Sequence, residues 1–136
     1  LDVAGTPQDF RAFRAFRPGI GADFNRIRDF RGYDHPFPLD GWCPGILGEA
    51  ATLRDPHSGR TVTVLTSQPS VMVYTGNWLA GGCPETKSGG RYRDHAGVAL
   101  ECQNLPDAVN RPEFPSPLLH PGELYCQKTV YRFGIL

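Results

Sequence analysis

From Ile46 onward, apolar and polar residues follow a period of two. Ile46 to Arg54 and Arg60 to Thr66 flank Asp55-Pro56-His57-Ser58-Gly59, a strand, a Pro/Gly turn and a returning strand, which predicts a hairpin. Val71 to Thr75 is short and rich in β-branched and aromatic residues, so it reads as a third strand. Leu79 to Arg91, with Gly81-Gly82 and Gly89-Gly90, reads as a loop. Gly97 to Gln103 is a further strand, Asn104 to Pro121 a proline-punctuated loop, and Leu124 to Phe133 a last strand. No segment carries a 3.6-residue apolar stripe. The expected class is therefore all-β, an antiparallel β-sandwich.

The first thirty-one residues differ. Arg11, Arg14, Arg17, Arg26, Arg28 and Arg31 interleave with Phe10, Phe13, Phe16, Phe24 and Phe30. Such interleaving suits a platform for single-stranded nucleic acid. Asp2, Asp9, Asp23 and Asp29 offset much of the charge, however, and Pro18-Gly19 interrupts any helix. A segment packed over a sheet edge, with its arginine stems snorkelling, is the expectation.

Composition narrows the picture. The 136 residues carry 14 Lys+Arg against 14 Asp+Glu, so no basic field is available for nucleic acid or an anionic membrane surface. The length suits one domain with a sizeable core. No apolar run approaches the ~20 residues that span a bilayer, and no leader is read, so a soluble chain is expected. With 16 Gly and 13 Pro, many turns are expected and helix is disfavoured. The only methionine is Met72 and residue 1 is Leu, which points to a processed or truncated polypeptide. Cys43, Cys83, Cys102 and Cys126 form no C-x-x-C pair and have no histidine at zinc-finger spacing. Scattered, mostly buried thiols in a reducing, cytoplasmic setting are expected, with no metal.

Candidate chemistry gathers on one strand. Alternation in Gly97-Val98-Ala99-Leu100-Glu101-Cys102-Gln103 places Val98, Leu100 and Cys102 on a core-like face and Ala99, Glu101 and Gln103 on the other. Glu101 and Gln103, followed by Asn104, bring a carboxylate and two amides to a place where a polar small molecule can be held. From the residues alone, a solvated strand face is the simpler reading. Asp34-His35 offers an acid-base pair, although a histidine in such a place is more commonly packed and hydrogen-bonded.

Five stretches shift that balance: Asp2-Val3-Ala4-Gly5-Thr6-Pro7 with Asp9-Phe10-Arg11; Gly32-Tyr33-Asp34-His35; Tyr74-Thr75-Gly76-Asn77; Leu100-Glu101-Cys102-Gln103-Asn104 with Pro106-Asp107-Ala108 and Asn110; and Leu119 with Pro121-Gly122-Glu123. In this order and at this spacing they resemble the C-terminal part of the aldose 1-epimerase (galactose mutarotase) family. The resemblance covers nearly the whole chain and implies a galactose-mutarotase-like β-supersandwich, of which residues 1–136 supply the C-terminal part. It implies an isomerase of carbohydrate metabolism that interconverts the α and β anomers of aldohexoses such as galactose or glucose, without a cofactor.

Residue by residue, the resemblance makes Glu101 the general base that takes the anomeric hydroxyl proton. It makes Asp34 a ligand of sugar hydroxyls, with Gln103 and Asn77 beside it. Met72 stands where family members often carry a sugar-binding Gln, and a thioether is a poor substitute for an amide. The acid histidine of the family lies upstream of the matched stretch, and His35, His57, His95 and His120 do not match its motif. An N-terminal half of the same domain, or another chain, is the expected partner. Two other readings are a catalytically silent sugar-binding or scaffold subunit, and a glycoside hydrolase pairing Glu101 with Asp34 or Asp107.

Overall fold

A computed structural model of the chain describes residues 2–82 and 86–136. Six strands form two sheets: β1 (Asp34–Pro38), β2 (Gly48–Arg54), β3 (Arg60–Thr66), β4 (Ser70–Tyr74), β5 (Ala99–Gln103) and β6 (Thr129–Ile135). One sheet has the order β1-β4-β5 and the other β2-β3-β6. Short 3-10 turns at Arg17–Gly19 and Ala108–Asn110 are the helical elements among the described residues. The fold is all-β, as the period-two pattern predicts. No described helix is long and apolar enough to cross a membrane.

β3 spans the expected residues, whereas β2 begins at Gly48 rather than Ile46, β5 at Ala99 rather than Gly97, and β6 is displaced to Thr129–Ile135. Glycine's wide φ/ψ range and proline's fixed φ turn the backbone, while apolar residues near them still read as strand. β1 has no counterpart in the periodicity because it contains Pro36 and Pro38. Residues two apart in a strand turn their N–H groups to the same side, so the two prolines leave one side of β1 with the Asp34 N–H as its single donor. Proline is tolerated there because β1 lies at an edge of its sheet among the described strands.

The chain folds as two compact units, the described parts of 1–35 with 73–100 and of 36–72 with 101–136. In the first, Ile27 and Tyr33 are fully buried. Phe10 and Phe16 pack against the Tyr33 ring with centroids at 5.2 and 5.6 Å, and the Tyr33 hydroxyl donates to the Pro7 carbonyl at 2.8 Å. Burial raises the Tyr33 pKa, an effect that the positive charge of Arg14 opposes. The arginines stay outside: Arg11 pairs with Asp9 at 2.8 Å, and Arg14 donates to the Thr6 carbonyl at 2.6 Å. The interleaved segment thus uses its rings for packing and its cations for tying loops.

In the second unit, β2 and β6 run antiparallel to β3 on either side. A bulge between Glu49 and Ala51 sets the β2 register so that Ala51 faces Val64 and Leu53 faces Val62, and Val62 and Val64 in turn face Phe133 and Tyr131. One face of this sheet is therefore mainly apolar, with Arg60 and Thr66 at the ends of β3, and the other carries Thr52, Thr61, Thr63 and Arg132 together with Leu65 and Val130. Val64 is fully buried, but Phe133 and Ile135 are 80% and 81% exposed. Past β3, Ser67 continues the link to the last segment, its N–H donating to the Lys128 carbonyl at 3.0 Å.

The thiols depart from expectation: Cys43 and Cys126 are exposed and Cys102 is half-buried, all three free. Their neighbouring turns and the short strands leave too little cover for burial. Cys83 lies outside the described residues.

Candidate functional site

Glu101 is the middle residue of β5 and its one exposed position, flanked by half-buried Leu100 and Cys102. Strand alternation produces this: neighbours along the chain turn to opposite faces, so a charged residue between two partly covered ones points to solvent. Among the described residues no ion pair or hydrogen bond competes for the lone pairs of its carboxylate. An ionised carboxylate in that state is an acceptor ready for a hydroxyl proton.

Met72 and Gln103 belong to the same unit as Glu101. Met72 is the half-buried centre of β4, the strand next to β5, between buried Val71 and Val73. Gln103 closes β5, and its backbone carbonyl accepts from the Ser70 hydroxyl at 2.7 Å. That bond anchors the end of β5 to the start of β4 and leaves the Gln103 amide side chain out of the exchange. Asp107, the other carboxylate in this stretch, sits at φ 61° and accepts from Asn110 Nδ2 at 2.6 Å. It is committed to its own turn.

Asp34 and Asn77 belong to the first unit. Asp34 opens β1 with an exposed side chain between fully buried Tyr33 and buried His35. Tyr33 is clamped: its N–H donates to Thr75 Oγ1 at 3.0 Å, and its carbonyl accepts the Thr75 N–H at 3.1 Å. On the other side, the Asp34 N–H donates to His35 Nδ1 at 3.0 Å, while His35 Nε2 donates to the Asn25 carbonyl at 2.7 Å. The Asp34 carboxylate is thus exposed on a peptide held from both sides. The packed, hydrogen-bonded histidine is what the structure contains.

Asn77 does not present its amide to solvent. It is fully buried, Oδ1 accepting from Thr75 Oγ1 at 2.6 Å and Nδ2 donating to the Tyr33 carbonyl at 3.1 Å. Both ends of the amide are consumed in holding the Tyr33 peptide. Thr75, which the sequence places in the Tyr74 to Asn77 stretch without a role of its own, is the hub of this network. A threonine between a strand and a Gly-Asn turn signals such a role only once its partner 42 positions upstream is known. Among the described residues no group of three or more His, Cys, Asp or Glu is arranged to hold a metal ion.

Comparison with known proteins gives a consistent result. The sequence model of the family described as Aldose 1-epimerase matches residues 1–132. Galactose mutarotase of Homo sapiens is 42% identical over 116 residues, covering 80% of this chain and 32% of its own. Aldose 1-epimerase of Escherichia coli (strain K12) is 38% identical over 133 residues, covering 96% and 37%. The crystal structure of a GalM/aldose epimerase homologue from C. elegans superposes with a TM-score of 0.80 at 24% identity, over 99% of this chain and 38% of that one. The chain spans about a third of the length of the curated relatives it matches.

Proposed function

The chain belongs to the aldose 1-epimerase family, and on that premise we propose that it supplies the general base and part of the sugar-binding surface of a mutarotase. The observation that carries the reading is Glu101: exposed and unpaired among the described residues, at the centre of β5, within the Leu100 to Asn104 stretch that resembles the family's base motif. The carboxylate takes the proton of the C1 hydroxyl of an aldohexose such as galactose or glucose. As the C1 carbonyl forms, the bond from C1 to the ring oxygen breaks, and that oxygen receives a proton from an acid. Rotation about C1–C2 and reclosure, with the two proton transfers reversed, yield the other anomer. Base and acid must stand in complementary protonation states, and a carboxylate with a neutral-pH histidine meets that need.

In this reading the Asp34 carboxylate accepts from sugar hydroxyls, and the Gln103 amide accepts from and donates to them. Met72 contributes contact without a strong hydrogen bond. Asn77 acts indirectly, by holding the Tyr33 peptide that precedes Asp34.

The acid is assigned to polypeptide corresponding to the remaining two-thirds of the relatives. We infer that this polypeptide covers the apolar face of β2, β3 and β6, because Phe133 and Ile135 stand about four-fifths exposed there and large bare apolar faces mark interaction surfaces. The free thiols suit a reducing, cytoplasmic compartment.

The test is co-production of the chain with the N-terminal part of E. coli aldose 1-epimerase that precedes the matched region. A one-to-one complex that accelerates the mutarotation of α-D-galactose in a polarimeter is expected. Phe133→Asp with Ile135→Asp should prevent its assembly. A complex that forms but runs at full rate with Glu101→Gln overturns the base assignment, and no complex overturns the docking face.

A further inference from the structure

The bonds Tyr33–Thr75 and Leu39–Pro69 flank β1 and tie it to β4, so residues 33 and 39 turn their polar backbone groups toward that neighbour. By the period of two, Asp34, Pro36 and Pro38 turn theirs to the opposite, open edge. Neither proline has an N–H. The Asp34 N–H is the one donor that these three residues offer on that edge, and the His35 ring caps it at 3.0 Å.

The second ring bond settles the proton. The Asn25 carbonyl is only an acceptor, so His35 Nε2 carries the hydrogen at 2.7 Å, and Nδ1 is bare to accept from Asp34. Both nitrogens are used by a single neutral tautomer, and the ring is 6% exposed, with Phe30 at 5.8 Å between centroids. A bare lone pair already holding a backbone N–H is not free to carry a proton to or from substrate. We propose that His35 is a positioning residue: its Nδ1 fixes the Asp34 peptide, and through it the direction of the carboxylate that grips sugar. This rests on Asp34 being a sugar ligand, as proposed above.

Two substitutions separate the ring's two bonds. In His35→Asn, Oδ1 takes the place of Nδ1 and keeps the acceptor for Asp34. In His35→Gln, the amide extends to the reach of Nε2 and keeps the link to Asn25 alone. D-galactose titrations of the full chain followed by NMR, a method that reads weak affinities, should leave His35→Asn within about twofold of the parent. His35→Gln should bind about fivefold more weakly, the equivalent of one hydrogen bond. Asp34→Asn should lose about tenfold or more, as for a charged hydrogen bond. Nitrogen-15 spectra of the ring should show a bare Nδ1 and a protonated Nε2.

A proton on Nδ1, equal losses in His35→Asn and His35→Gln, or parent-like affinity in His35→Gln overturns the positioning role. If the parent gives no response, or Asp34→Asn binds like the parent, the reading of Asp34 as a sugar ligand fails and this inference with it.

Discussion

Thr75 Oγ1 donates to Asn77 Oδ1 at 2.6 Å, joining two side chains that hold the two backbone polar groups of one residue, the N–H and the C=O of Tyr33. Both side chains are at least 98% buried, so neither can exchange its partner for water. Asn77→Ala removes both amide bonds and leaves the Tyr33 carbonyl with fewer donors. The expected cost is about 2–3 kcal/mol, read as a lower midpoint in urea unfolding. Asn77→Asp keeps the acceptor but loses the donor and buries a charge, and should cost at least as much.

Gly32 lies under the same network. A Cβ there would overlap Asn77 Oδ1 and come within 2.6 Å of Thr75 Oγ1. Gly32→Ala should therefore destabilise the chain by about 1–3 kcal/mol. Its effect should shrink in an Asn77→Ala background, because the atom it strikes is gone. A double-mutant cycle by urea unfolding measures this coupling.

Glu101→Gln tests the chemistry with little risk to the fold, since the side chain is exposed. In the completed assembly the rate of α-D-galactose mutarotation should fall about 10²- to 10⁴-fold, the usual worth of a general base. Its thermal unfolding should match the parent's within a degree or two, since surface changes are usually worth no more than ~0.5 kcal/mol.

Met72→Gln should move the other way. The strand centre is half-buried, so an amide there has room to reach a hydroxyl while its stem replaces the thioether. Affinity for D-galactose should rise about fivefold, as one new hydrogen bond would provide. Calorimetric titration of the completed assembly measures it.

Two turns should keep their carboxylates ionised to lower pH than an ordinary aspartate. The Arg11 side chain, with the N–H groups of Gly5 and Arg11, holds the Asp9 carboxyl well below the usual aspartate range, and Ser58 with the His57 and Ser58 N–H groups lowers Asp55. A lowered folded-state pKa favours folding above the unfolded value of about 3.9, and that contribution fades as pH falls through the folded value. Carbon-13 titration should show both carboxyls protonating below about 3.9. Arg11→Ala should raise the Asp9 midpoint, and Ser58→Ala that of Asp55.

How much of this was written in the sequence depends on where each interaction closes. β3 was legible to the residue because Thr61 to Val64 alternates and its turn, Asp55 to Gly59, is local. β1 was not, because its strand identity comes from partners at residues 69 and 75 and not from its own composition. The exposure of Glu101 was readable from alternation, but Val98, expected on the core-like face, stands exposed just before β5 begins. Asn77 looked like a ligand because a motif specifies a residue type and not the direction its amide faces. That direction was set by Tyr33, 44 positions away. The exposure of Cys43 and Cys126 likewise depends on what the surrounding turns fail to cover.

The donor-poor outer side of β1 has a consequence for how this protein behaves at high concentration. Amyloid-like growth needs a row of free N–H and C=O groups on which an incoming strand can register. On that side of β1, two of three donors are missing by covalent structure and the third, at Asp34, is occupied by His35. An invading strand would find carbonyls with no answering donors, and fibril seeding from this edge should be poor even in solutions crowded enough to promote it elsewhere on the molecule.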